Sequence, residues 1–395
     1  MTPLFVFCAD LHLEDGAWST RPAIYGDAYY SFEQIVDYCI AQKLPLIMGG
    51  DILERKQNLA RPIAKLCAGL TRMQQANVRA YYIQGNHEYD RNAPWLSIHP
   101  WPLHLHDSGV QLHDVGIWGL DWLPKGDIQT AFQEVPADTD ILITHQVWKD
   151  FMGNVGRTEC ELTDVHHVGI VLAGDFHVTK TIKAVNAQGN PVQMLSPGST
   201  AMQDIGESPE KFFFVISKTD DGQIVFEQQP LKTRQFLKYT VETQEELDDL
   251  CSGQLMTAID EAVAQAKADG VPEYIQKPLV RVKFNKQLPD AYLRLLTAAG
   301  EAAHMFCDAL ADKARERPAS ASRATVSNTL LSALEDLLGP GTEEYKLAAS
   351  LVSATDPNKE LDMQFKQYVE DTGEVTDAIT APACEELGAP SGTDV

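Results

Sequence analysis

Five short apolar runs in this chain each stop on a side chain that can hold a metal ion. They are FVFCADLH at Asp10 and His12, LPLIMGGD at Asp51, YYIQGNHE at Asn86 and His87, ILITH at His145, and IVLAGDFH at Asp175 and His177. The donors are carboxylate and amide oxygens and imidazole nitrogens, with no thiolate among them. Such a set suits hard or borderline divalent cations: manganese, magnesium, iron or zinc. An open α/β sheet gathers the carboxyl ends of its strands along one edge, where ligands bind, so donors far apart in sequence would converge on one spot.

The elements that must position them are legible as an alternation. Strand candidates lie near residues 4–9, 44–50, 79–84, 116–121, 139–145 and 169–174. Between them, SFEQIVDYCIAQ (31–42) and RPIAKLCAGLTRMQQA (61–76) repeat apolar residues at helical spacing. This is an α/β pattern. Three further runs, at 192–196, 212–217 and 224–229, lack long helices between them and predict antiparallel strands completing a second sheet, hence a two-sheet sandwich flanked by helices. After about residue 238 the texture changes. TQEELDDL starts a helix with an acidic first turn, PLVRVKF (278–284) is a strand and AYLRLLTAAGEAA (291–303) a helix, together a small α+β module. The expected division is a catalytic domain over 1–235, a small capping domain over 236–311, a linker over 312–327, amphipathic helices over 328–371 and a disordered acidic tail over 372–395.

Composition bounds the class. Of 395 residues, 44% are hydrophobic and 22% charged, as in a soluble globular protein rather than a disordered chain. The opening lacks the basic start of a signal peptide and no apolar run reaches membrane-spanning length, so a cytoplasmic location is expected. Seven scattered cysteines without a close pair fit reduced thiols. The net charge of −24 opposes an unaided grip on nucleic acid, because phosphate binding is driven by basic side chains. Two divalent cations would oppose the net charge locally, and Arg55, Lys56, Lys180 and Lys183 follow the donor motifs closely, as candidate phosphate contacts or as a solvated rim.

The ordered set Asp10-x-His12, Gly50-Asp51, Gly85-Asn86-His87-Glu88, His145 and Gly174-Asp175-x-His177 resembles the signature of calcineurin-like metallophosphoesterases. That resemblance implies two divalent ions about 3.5–4 Å apart, polarising a phosphate and lowering the pKa of water. Asp51 would bridge them, Asp10, His12 and His177 would complete the first site, and Asn86, His145 and Asp175 the second. His87 would face the scissile phosphate as general acid, a role suited to histidine near neutral pH. Two departures stand out. Most members carry Gly-His-x-His where this chain has Gly174-Asp175-Phe176-His177; the harder oxygen donor favours manganese, or magnesium, over zinc. Glu88 stands where Asp is usual and is expected to orient a ligand rather than bind the ion.

Within the superfamily, MLSPGSTAMQDIGESPEKFFFVI (194–216), the module near 231–310 and the terminal helices are similar to the SbcD-like subunits of DNA double-strand-break repair nucleases. The resemblance implies a manganese-dependent nuclease, exonuclease on duplex DNA and endonuclease on single strands, acting in end processing as a homodimer beside an SbcC-like coiled-coil ABC-type ATPase. The apolar stripe Leu330, Leu331, Leu334, Leu337 and Leu338 would face that partner, or fold back on its own domain. Two alternatives stand: a stand-alone small-molecule phosphodiesterase or phosphatase using the same metals, and a scaffold subunit binding DNA and partner after Asp175 has weakened the second site. The remaining histidines, among them His104, His106, His166 and His167, are expected to be structural.

Overall fold

The computed structural model describes residues 1–14, 23–55, 60–90, 95–153, 158–186 and 188–310. Lys56, the linker, the helices carrying Leu330, Leu331, Leu334, Leu337 and Leu338, and the acidic tail lie outside the described residues.

Twelve strands follow in chain order: β1 (Thr2–Cys8), β2 (Leu46–Gly49), β3 (Ala80–Ile83), β4 (Leu103–His104), β5 (Ser108–Leu112), β6 (Val115–Leu120), β7 (Ile141–His145), β8 (Ile170–Gly174), β9 (Lys180–Val185), β10 (Pro191–Ser196), β11 (Lys211–Lys218) and β12 (Ile224–Leu231). They form two six-stranded sheets, ordered β12-β11-β1-β2-β3-β4 and β5-β6-β7-β8-β10-β9. In each, the central strands are parallel and an antiparallel strand or pair closes an edge. The period-two alternation of a strand explains why FVFC reads as a continuous apolar run: Phe5 and Phe7 pack between the sheets against Ile143 and Leu172, while Val6 and Cys8 face the helical layer. That layer is α1 (Asp27–Gln42) and α2 (Ala60–Gln75), and on the other sheet α3 (Lys125–Glu134). The two-sheet sandwich flanked by helices is therefore the observed architecture.

β11 and β12 are antiparallel, as expected, but β10 differs. It runs parallel to β8 and pairs antiparallel only with β9. The reason is β9 itself, an edge strand whose outward residues Thr181 and Lys183 break any apolar run, so that the chain reverses where the sequence shows no strand.

β13 (Phe236–Val241), β14 (Leu279–Phe284) and β15 (His304–Ala309) form a third, wholly parallel sheet. Helices Gln244–Asp249 and Leu255–Ala268 cross from its first strand to its second, and Ala291–Ala299 from its second to its third. The first helix opens with a capping box between Thr243 and Glu246, the acidic start seen in the sequence. Leu247, Ile259, Val280, Val282 and Leu295 make its core. Just before β13, the buried Arg234 guanidinium grips the Asp27 carboxylate at 2.8 Å and donates to the Lys277 and Tyr25 carbonyls at 2.7 and 3.0 Å. Residues 1–310 are one compact unit. No helix among the described residues is long and apolar enough to cross a membrane.

Candidate metal centre

The carboxyl ends of β1, β2, β3, β7 and β8 deliver the donors. Beyond the strands the chain turns sharply: Asp10, His12, Asp51 and Asp175 all take positive φ, at 52°, 45°, 47° and 74°. This left-handed region costs a non-glycine residue of order 1 kcal/mol or more and persists where the surroundings enforce it. Here the loops hold one another. Asp10 N–H donates to the Gly50 carbonyl at 3.1 Å, His12 N–H to that of Asp51 at 2.9 Å, and Asp175 N–H to Asp10 Oδ1 at 3.1 Å. The glycine before three of the motifs, at Gly50, Gly85 and Gly174, is a matter of space. A Cβ on Gly85 would run into the Asp51 carboxylate, and one on Gly174 into the His145 ring and the Gly49 carbonyl.

Two groups of donor atoms result. In the first, Asp10 Oδ1 lies 3.9 Å from His12 Nε2 and 3.8 Å from His177 Nε2, and the two imidazole nitrogens are 3.1 Å apart. The other nitrogen of each ring rests on a carboxylate: His12 Nδ1 on Glu54 at 2.6 Å, His177 Nδ1 on Glu207 at 3.2 Å. An ionised carboxylate only accepts, so both Nδ1 atoms donate; with both rings neutral the two Nε2 lone pairs face each other, an arrangement that a cation between them would satisfy. In the second group, His145 Nε2 lies 3.2 Å from Asp51 Oδ2 and 3.8 Å from Asp175 Oδ1, directed there because Nδ1 donates to the Gly49 carbonyl at 2.8 Å. Asp51 joins the groups, its Oδ2 being also 3.7 Å from His12 Nε2.

Buried Asp10 Oδ2, Asn86 Oδ1 and His145 Nε2 have no hydrogen-bond partner. Each such orphan costs about 1–3 kcal/mol. Electropositive groups would satisfy them, and the donor spacing suits ions bound at about 2.1 Å. The residues present thus fit a pair of divalent cations.

Electrostatics agree. Burial would raise the Asp51 carboxyl, yet the His145, His12 and His87 imidazoles hold it well below the usual carboxylate range. Burial alone would discharge His145, but Asp51, Asp10 and Asp175 push it well above an ordinary histidine. Asp10 is raised, by burial first. The surrounding carboxylates thus favour positive charge at this point.

His87 stands at the rim, its ring about a third exposed (34%), whereas the His145 side chain is fully buried. His87 Nδ1 donates to the Glu54 carbonyl at 2.7 Å, leaving Nε2 turned inward, 3.9 Å from Asp51 Oδ2. Glu88 is buried beneath and accepts the Gly85 and Ile52 N–H groups at 3.0 and 3.2 Å, tying the loops that carry Asn86 and Asp51. Burial, then the Asp51 charge, pushes its carboxyl up to about 8.

Of the four basic residues expected to meet DNA, Arg55, Lys180 and Lys183 are among the described residues. Arg55 is paired with Glu14 at 2.9 and 3.1 Å, Lys180 Nζ donates to the Phe151 carbonyl at 2.9 Å, and Lys183 is exposed on β9. His104 donates to the buried Asp121 at 2.8 Å; Asp121 in turn accepts the backbone N–H of Gln84 at 2.7 Å, bracing the end of β3. Sequence reasoning missed Glu54, Glu207, Lys211 and Asp121. Only Glu54 carried a signal, three residues after Asp51.

Residues 3–179 match the family model of the calcineurin-like phosphoesterases, a span holding His87 and all seven donors. The chain carries a calcineurin-like phosphoesterase domain. It is similar to proteins named DNA double-strand break repair protein Mre11. The Halobacterium salinarum protein is 24% identical over 217 residues, 52% of this chain and 55% of the relative. That of Haloferax volcanii is 25% identical over 214 residues, 52% and 47%, and that of Methanosarcina mazei 22% over 232 residues, 54% and 36%. The chain thus spans about half or less of the length of these relatives.

Proposed function

We propose that this chain is a two-metal phosphodiesterase that cleaves DNA. The observation that supports the reading is the approach of Asp10, His12, Asp51, His145, Asp175 and His177, each within 4 Å of another of these donors, together with the buried Asn86 Oδ1 and Asp10 Oδ2 that no hydrogen bond satisfies. Asp10, His12 and His177 would hold one ion, Asn86, His145 and Asp175 the other, and Asp51 would serve both. Manganese, with magnesium next, suits a set in which four donors are oxygens. When bound, the ions supply Lewis-acid polarisation of the phosphate and ionisation of water near neutral pH. His87 is the general acid: the Glu54 carbonyl fixes its Nδ1–H, so that Nε2 is the nitrogen turned to hand a proton to the leaving oxygen. The approach of Asp175 to His145 supports a working second site over a weakened scaffold.

DNA as substrate, double-strand-break repair as setting, and the duplex exonuclease and single-strand endonuclease activities rest on the likeness to the Mre11 proteins and to the SbcD-like pattern. On that reading β13–β15 and their helices are the capping domain over 236–311, the protein acts as a cytoplasmic homodimer, and the leucine stripe near 330–338 binds an SbcC-like ATPase. The net charge of −24 favours a partner that supplies much of the DNA grip, with Arg55, Lys56, Lys180 and Lys183 adding local contacts.

End-labelled duplex DNA and a chromogenic phosphodiester, each incubated with manganese and with or without the ATPase, test this. Cleavage of DNA is expected, and His87→Ala should lower it about 100- to 10,000-fold with unchanged manganese stoichiometry. Diester hydrolysis without DNA cleavage favours the small-molecule reading. A single bound ion and no cleavage even beside the ATPase favours the scaffold.

A further inference from the structure

His177 is braced from behind by a cluster that metal binding itself does not require. Glu207, in the loop between β10 and β11, places Oε1 3.2 Å from His177 Nδ1. Its other oxygen accepts from Lys211 Nζ at 2.7 Å, Ser199 Oγ at 3.1 Å and the Gln203 N–H at 3.2 Å. Lys211 also donates to Ser199 Oγ at 2.7 Å. Four donors on one carboxylate leave it no freedom to turn. Lys211 is only 4% exposed, a rare place for lysine. Burying a charged pair costs several kcal/mol of desolvation, and an apolar pair of similar volume would stabilise the loop as well or better. Stability alone therefore does not account for Glu207 and Lys211. The cluster's hydrogen bond to a candidate metal donor is the one to His177.

We propose that Glu207, locked by Lys211 and Ser199, is a positioning residue that fixes His177 as an Nε2 donor and thereby raises the affinity of the first metal position. The inference rests on the two-metal reading. The immobile carboxylate holds the proton on Nδ1, sets the plane of the ring and makes Nε2 a stronger donor; loss of such outer partners costs about 10- to 100-fold in metal affinity. Lys211 acts one step further out, keeping Glu207 ionised and aimed. Glu54 plays the corresponding part behind His12 with fewer restraints and a side chain 25% exposed.

The full-length protein, freed of metal, is titrated with manganese by calorimetry and by electron paramagnetic resonance of the free ion. Two ions in the wild type support the metal reading, and none overturns it together with this inference. Glu207→Ala should weaken one ion about 10- to 100-fold and spare the other, with Lys211→Met in the same direction. Glu207→Gln, whose amide oxygen still accepts the Nδ1–H but carries no charge, should fall between. Thermal unfolding of the metal-free variants gives the readout that a merely structural role would move. If Glu207→Ala melts lower yet binds both ions as the wild type does, the positioning role is overturned and the metal reading survives. Should Glu207→Ala not fold, wild-type affinities in Glu207→Gln overturn it equally.

Discussion

Around Asp10, His12 and His177 both imidazoles lean on side-chain carboxylates, whereas across the centre His145 leans on the backbone carbonyl of Gly49 and the Asn86 amide oxygen has nothing to lean on. The first half is held by ionised groups drawn from distant loops, the second by the register of β2, β7 and β8. A backbone brace is as rigid as the sheet and cannot be tuned by a point substitution without disturbing the strand. A side-chain brace can be tuned one atom at a time. The two halves should therefore fail differently.

Asp51→Asn strikes both halves at once and should have the largest effect. Removing the shared charge forfeits several kcal/mol of phosphate activation, about 1,000-fold or more in cleavage, and both manganese affinities should fall together in calorimetry. If only one falls, Asp51 belongs to one half and the comparison breaks.

Asp175→Ala should weaken the second ion alone, by tenfold or more on an order-of-magnitude scale, while Asp175→His should keep two ions and shift competition from manganese toward zinc. Competition titrations with the two metals read this directly.

Proton release sharpens the contrast further. His145 is held well above an ordinary histidine by Asp51, Asp10 and Asp175 against the effect of burial, so these carboxylates favour a proton on it before metal enters. A ligand imidazole must be neutral, hence manganese binding should release a proton and tighten as pH rises, by up to about tenfold per pH unit. Asp51 is already ionised and adds none. Calorimetry in buffers of different ionisation enthalpy counts the protons; zero at pH 7 contradicts the charge balance drawn here.

The smallest effect concerns Glu88. With its carboxyl pushed from 4.5 up to about 8, it is neutral at pH 7 in the metal-free protein, and below about pH 4.5, where the group is neutral folded or unfolded, Glu88→Gln should change stability by no more than about 1 kcal/mol. The sign with pH is fixed. The folded state binds the extra proton, so wild-type stability falls between about pH 4.5 and 8, and the Gln variant should fall less over that window in thermal melts.

The five donor-tipped runs were legible because strands buried on both faces, such as β1 with Phe5 and Val6 on opposite sides, leave an unbroken apolar signature that ends where the chain meets solvent. The same rule hid β9, whose Thr181 and Lys183 face outward at an edge, and so concealed that β10 lies parallel to β8. Lys180 and Arg55 read as free cations in sequence, but one is held by the Phe151 carbonyl and the other by Glu14. No local pattern distinguishes a paired lysine from a free one.

Residue type and strand-end position, both local properties, determined which side chains could bind metal and that they would share one edge. Which carboxylate stands behind which imidazole was decided by tertiary structure alone. Glu207 reaches His177, and Glu54 reaches His12, through contacts spanning 30 and 42 positions. Hydrogen bonds at that separation have no periodicity to read, because they depend on how whole loops pack once the sheets have closed on each other.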